Sequence, residues 1–135
     1  MVEGAVKAAF LKNEKLGNTE CYYYRFQPDI PGWDNPGSFH SVDLWFFFET
    51  LGMCWRPFVG RHYDLARQMC NYWTNFMKTG NPNGEDADGT LMPRWERYGA
   101  DGLHEMVFGS EGAVPQVEDS AFMQFMVKQI QKDLT

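Results

Sequence analysis

The chain has 135 residues, one domain's worth, with 44% hydrophobic and 22% charged residues, a globular rather than a disordered balance. Its 12 Lys and Arg against 18 Asp and Glu give a formal charge of −6, and the basic residues form no stripe to neutralise a row of phosphates, which excludes nucleic acid as the expected partner. The longest apolar run, Leu44 to Phe48, falls far short of the roughly 20 residues of a membrane span, and no basic region precedes an apolar segment at the N-terminus, so neither a span nor a secretion signal is read.

Glu3 to Lys15 carries Val6, Ala9 and Phe10 among helix formers and stops at Gly17-Asn18, which predicts a short amphipathic helix. Glu20 to Phe26 is aromatic on both parities, the pattern of a strand covered on both faces. Gln27 to Phe39 holds three prolines and two glycines and is read as irregular connection. Ser41 is then a suitable N-cap and Asp43 a first-turn acid for a helix from Val42 to Leu51, stopped by Gly52; because Leu44 to Phe48 is apolar all round, that helix is expected to be surrounded. A second connection, Met53 to Arg61, carries Pro57 and Gly60.

From Asp64 the residues Leu65, Met69, Tyr72, Trp73, Phe76 and Met77 recur at helical spacing through Lys78, before Thr79-Gly80-Asn81-Pro82-Asn83 closes the helix. Glu85 to Thr90 is read as a solvated acidic loop, and Trp95 to Tyr98 and Glu105 to Phe108 as two short strands around Asp101-Gly102. A final helix from Ser120 to Lys132 buries Phe122, Phe125, Met126 and Ile130. Cys21, Cys54 and Cys70 are odd in number and widely spaced, so they are read as buried free thiols, and His62 and His104 have no ligand at metal-binding spacing.

The residue of greatest chemical interest is His40, delivered by Gly37-Ser38-Phe39 onto an aromatic helix. Histidine both takes and gives a proton near neutrality, so at such a junction it is either a general base or an imidazole satisfied by turn carbonyls. Taken with its surroundings, the sequence resembles the C-terminal part of type B carboxylesterases, the α/β-hydrolase family of the para-nitrobenzyl esterases and cholinesterases. The resemblance rests on Gly37-Ser38-Phe39-His40-Ser41-Val42-Asp43, then Trp73-x-x-Phe76-x-x-Thr79-Gly80-Asn81-Pro82-Asn83, then Pro93-Arg94-Trp95-x-x-Tyr98 and Met106-Val107-Phe108, in that order over nearly the whole chain.

The resemblance implies an α/β fold, the last units of an α/β-hydrolase with few strands, flanking helices and an incomplete sheet. It also implies an acyl-enzyme mechanism on a carboxylic ester, with no metal or organic cofactor. His40 would be the catalytic histidine, Asp43 an acid beneath it in a buried polar network, and Val42 a substrate-pocket position that offers no ring face to a quaternary ammonium. The family's Gly-x-Ser-x-Gly elbow is missing: Ser38, Ser41, Ser110 and Ser120 are the chain's serines and none sits between glycines at that spacing. The nucleophile, the triad acid and the oxyanion loop are therefore expected on polypeptide preceding residue 1, and the chain alone is expected to be inactive. Two partners follow, the N-terminal part of the hydrolase and, because a detached strand leaves unpaired edges and bare faces, a second copy in a homo-oligomer. A non-catalytic interaction module is the alternative function.

Overall fold

The computed structural model describes residues 2–18, 21–118 and 120–133. Its elements in chain order are α1 (Val2–Lys15), β1 (Tyr24–Gln27), α2 (Asp43–Phe47), a 3-10 turn at Leu51–Met53, α3 (Gly60–Thr79), β2 (Tyr98–Gly99), β3 (Gly102–Gly109), β4 (Gly112–Val117) and α4 (Ala121–Asp133). The strands follow the order β1-β3-β2, with β4 also paired to β3. They belong to two compact units, one of residues 1–23, 95–106 and 115–135, the other of residues 24–94 and 107–114.

In the first unit, α1 packs on α4 and on β2. Ala8, Leu11, Tyr23, Tyr98 and Val127 form the core there, with Phe10, Leu103, Met123 and Ile130 packed against it. Strand β2 runs antiparallel to the start of β3, with Tyr98 opposite Leu103 and Gly99 opposite Gly102. At Gly99 the backbone lies close under an ion pair: a Cβ there would stand 2.6 Å from Glu14 Oε1 and would push aside the carboxylate that accepts from Ala100 N and pairs with Arg97. Ser120 Oγ accepts from Met123 N, capping α4.

In the second unit, α2 packs on α3. Tyr24 meets Phe47, Trp73 and Phe108 edge-on or tilted, and Phe47 lies 4.1 Å from Trp73 between centroids. Leu65, Ala66, Met69 and Tyr72 are the buried stripe of α3, and the Tyr72 hydroxyl donates to the Pro93 carbonyl. The Thr79 to Asn83 stop is a hydrogen-bonded turn: Gly80 takes φ 75°, Asn81 N donates to Thr79 Oγ1, and Asn83 N donates to Asn81 Oδ1.

Several expectations are corrected. The first strand begins at Tyr24, its residues Tyr24, Arg25 and Phe26 are half-buried rather than covered, and the expected start at Glu20 lies outside the described residues. Helix α2 ends at Phe47 because the chain there makes a Schellman stop, with Thr50 N donating to Trp45 O and Glu49 N to Phe46 O. Glu49 occupies the left-handed position of that stop, at φ 51°, where glycine is usual. Ser41 caps nothing: it sits at φ 67°, one residue before the helical turn, and Val42 is the N-cap without a side-chain bond. Leu44 and Phe48 are 46% and 71% exposed, so α2 is not surrounded by the described chain.

Helix α3 starts four residues early because His62 Nδ1 accepts from Val59 N at 3.0 Å and closes its first turn. Trp73 and Phe76 are only partly covered and Met77 is exposed. Asp86, placed in a solvated loop, is buried and accepts from Arg67 Nε and Nη2 and from Asn71. Trp95 to Arg97 is not strand, β4 was not foreseen, and Phe122 and Phe125 are exposed on α4. The three thiols are free but half-buried.

Candidate active site

Segment 28–39, which leads to His40, has no regular structure, so side chains fix its path. Asp29 N donates to Ser110 Oγ at 2.9 Å, His62 Nε2 meets Asp29 O at 3.1 Å, and Ser38 Oγ donates to Pro28 O at 3.3 Å. The turn then tightens through two left-handed residues, Gly37 at φ 61° and Ser41 at φ 67°. Val42 N donates to Phe39 O and Leu44 N to Ser41 O, both at 3.2 Å, so the backbone wraps around His40 and hands the chain to α2.

His40 is exposed, and among the described residues its imidazole makes no hydrogen bond. It borders a cavity of about 430 Å³ formed by Phe26 and residues 38–44. Val42 is 2% exposed at the cavity wall. Asp43 is half-buried and accepts from the Tyr24 hydroxyl at 2.9 Å. Burial of the Tyr24 phenol, reinforced by its bond to Asp43, raises its pKa well above the ordinary value, so Tyr24 stays a proton donor to that carboxylate.

The fold thus brings His40, Val42 and Asp43 to one cavity. Among the described residues no serine hydroxyl or carboxylate hydrogen-bonds to His40. The Ser110 and Ser120 hydroxyl oxygens accept from the backbone amides of Asp29 and Met123, and the Ser38 hydroxyl donates to the Pro28 carbonyl. His62 is 3% exposed with both ring nitrogens engaged; Nδ1 accepts from Val59, so the proton is assigned to Nε2, which donates to Asp29 O. Arg56 pairs with Asp34 and Arg61 with Asp29. Tyr24 was missed because an aromatic strand residue far from Asp43 in sequence carries no signal of that bond.

A second cluster lies in the first unit. Glu3, Glu105 and Glu118 each bring a carboxylate oxygen within 4.8 Å of the others, a spacing that suits a cation. Lys7 Nζ already sits among them, 2.7 Å from Glu118, 3.0 Å from Glu3 and 3.1 Å from Glu105, and 4.8 Å above the Tyr23 ring. The ammonium is fully buried. Burial alone would lower its pKa, but the bonds to Glu118, Glu3 and Glu105 outweigh that and hold it above the ordinary lysine value. The cluster is a structural ion network whose cation is the chain's own.

Residues 5–126 match the model of the carboxylesterase family. The chain belongs to that family. Acetylcholinesterase 1 of Caenorhabditis elegans is 26% identical over 119 residues, covering 84% of this chain and 19% of that protein. Carboxylesterase 4A of Bos taurus is 34% identical over 89 residues, 59% of this chain and 14% of that protein. A carboxylesterase of Geobacillus stearothermophilus superposes with a TM-score of 0.57 at 26% identity, covering 78% of this chain and 21% of that one. An esterase of Clostridium hathewayi that hydrolyses aliphatic aromatic polyesters shares the fold with a TM-score of 0.67 at 22% identity, over 85% of this chain and 22% of its own. These neighbours are esterases of α/β-hydrolase fold, and this carboxylesterase-family chain spans about a fifth or less of each relative's length.

Proposed function

We propose that this chain is the catalytic-histidine part of a carboxylic-ester hydrolase, with His40 as the proton shuttle of an acyl-enzyme mechanism. The observation that carries the reading is an exposed imidazole without a hydrogen-bond partner among the described residues, held at the mouth of a cavity by a turn containing two left-handed residues. His40 takes the proton from a serine hydroxyl as it attacks the ester carbonyl, gives it to the departing alcohol, and then activates water for deacylation. Asp43, bonded to Tyr24, lies beneath it as a positioning acid, and Val42 supplies an apolar wall. The serine, the triad acid and the oxyanion donors are supplied by sequence outside these 135 residues. Without them, hydrolysis by the chain alone falls by several orders of magnitude, since one lost oxyanion donor alone costs about a hundredfold or more.

The test mixes the purified chain with a polypeptide carrying the Gly-x-Ser-x-Gly elbow of a related carboxylesterase and measures hydrolysis of a p-nitrophenyl ester. Turnover that appears on mixing and disappears with His40→Ala supports the reading. Fluorophosphonate labelling of a serine in the chain alone would overturn the claim that the nucleophile lies elsewhere.

A second reading, a self-associating module, is favoured by the large apolar side chains left open to solvent: Trp33 and Met53 at 90% exposure, and Phe48 at 71%. Light scattering that gives a stable monomer at high concentration removes it.

A further inference from the structure

We propose that Arg56 is the positioning residue of the His40 turn, a clamp that holds the otherwise irregular segment 28–39 so that His40 faces its cavity; the inference rests on the reading of His40 as the proton shuttle. Segment 28–39 contains Pro28, Pro31 and Pro36 and has no helix or strand to fix it. What fixes its middle is one guanidinium. Arg56 Nη1 donates to Asp34 Oδ1 at 2.9 Å and Nη2 to Asp34 Oδ2 at 2.8 Å, a two-pronged fork, while Nη1 also reaches the Pro31 carbonyl at 3.0 Å. The same planar group lies 4.6 Å from the Trp55 ring centroid and 5.5 Å from that of Phe39.

Phe39 is the residue before His40, and its carbonyl receives the Val42 amide that closes the turn. Its ring also meets Trp45 of α2 edge-on at 5.9 Å. The guanidinium therefore fixes the entry to the turn by a fork to Asp34 and cation–π contacts to Trp55 and Phe39, while α2 holds the exit. Gly32 makes room for this arrangement. A Cβ at that position would stand 2.5 Å from both Arg56 Nη1 and Asp34 Oδ1.

Lysine cannot replace Arg56, because it has neither the fork nor the flat face. The charge alone does not account for the clamp. Three variants separate its parts: Arg56→Lys keeps the charge, Asp34→Asn keeps the ring contacts, and Gly32→Ala sets a Cβ against both partners of the fork without altering any charge, at the added cost of backbone strain at φ 156°.

The experiment is residue-resolved amide hydrogen exchange on the full chain, comparing Val42 and Leu44 of the turn with Met69 and Tyr72 inside α3. Each variant is expected to speed exchange at Val42 and Leu44 by roughly tenfold while leaving Met69 and Tyr72 unchanged. Unchanged turn amides in all three variants overturn the proposal, and so does equal loss of protection in α3, which would make the residue a global stabiliser. In the reconstituted ester assay, Arg56→Lys is expected to lower kcat about tenfold with KM held, the mark of a misplaced proton carrier. If turn exchange rises but His40→Ala leaves turnover unaffected, the clamp stands and the catalytic reading falls. If His40→Ala abolishes turnover while Arg56→Lys changes neither exchange nor kcat, the clamp falls and the catalytic reading stands.

Discussion

Replacing Lys7 by Met tests the largest concentration of buried charge in the described chain. Methionine keeps the apolar stem of the side chain and removes the ammonium. Glu105 and Glu118 would then be left with side chains 1% and 9% exposed and no cation between them. Two unit charges 4.8 Å apart, the widest spacing of the cluster oxygens, repel by about 3.5 kcal/mol at an effective dielectric of about 20. Breaking a buried ion pair by removing one partner generally costs about 3–5 kcal/mol. The two routes agree, and the expected loss at pH 7 is about 3–5 kcal/mol, a large share of the roughly 5–15 kcal/mol that holds a domain together.

The pH dependence carries the sharper signature. In the native chain the folded pKa of Lys7 lies above its unfolded value, so its contribution is fully present below the ordinary lysine value of 10.5 and is lost as pH rises through the folded value. In Lys7→Met the folded carboxylate cluster takes up a proton more readily than the unfolded chain does. Acidification from pH 7 to pH 5 should therefore recover stability in the variant, by up to about 1.4 kcal/mol per pH unit for each proton bound. Adding Glu118→Gln to Lys7→Met should recover a large part of the loss at pH 7. Urea unfolding followed by tryptophan fluorescence at pH 5, 7 and 9 measures the variants, and across that range the Lys7 contribution in the parent chain should stay constant. A loss below about 1 kcal/mol at pH 7, or a variant that weakens on acidification, would refute the assignment of a buried ion network.

Three further outcomes are expected from the same unfolding assay. Glu49→Gly should stabilise the chain by about 0.5–1 kcal/mol, because it relieves the left-handed strain of a non-glycine residue at the end of α2, with no change in the urea slope. Tyr98→Phe should be neutral or stabilising by about 1 kcal/mol, since the Tyr98 hydroxyl is buried without a partner among the described residues; a loss above about 1 kcal/mol would mean that the hydroxyl is bonded. His62→Ala should cost about 2–4 kcal/mol by orphaning Val59 N and Asp29 O, whereas His40→Ala should stay within about 0.5 kcal/mol of the parent.

Helices α1 and α3 were legible because their apolar residues repeat at helical spacing and glycine ends each of them. Strand β4 was not, because Pro115 argues against a strand and is tolerated here in one whose described partner is β3 alone. The early end of α2 was hidden because a glutamate in the left-handed position leaves no compositional trace. The burial of Asp86 was hidden because an acidic, glycine-containing run looks solvated until Arg67 and Asn71, on the preceding helix, are brought against it. Spacing alone left His40 undecided between general base and turn residue. Only the ordered likeness of its turn and the Thr79 to Asn83 stop to a known family distinguished it from His62.

The two histidines of the second unit differ in how their ring nitrogens are bonded, and the proposed division between a structural His62 and a proton-carrying His40 is built on that difference. His62 has its lone pair committed to a backbone amide and its proton to a backbone carbonyl, so moving a proton at either nitrogen would break a contact that orders the start of α3 or the course of segment 28–39. It can serve the fold only by staying in one tautomer. His40 has neither nitrogen committed within the described chain, yet the backbone around it is held in a turn with two left-handed residues, Gly37 and Ser41, closed by the Val42 and Leu44 amides. An imidazole that is free at both nitrogens but fixed at its Cα can exchange protons with a partner without disturbing the fold. Under the proposed reading, the left-handed strain at Ser41 is kept for the position it gives His40, and the reading fails if Ser41→Gly relieves that strain while His40→Ala leaves turnover of the reconstituted enzyme unchanged.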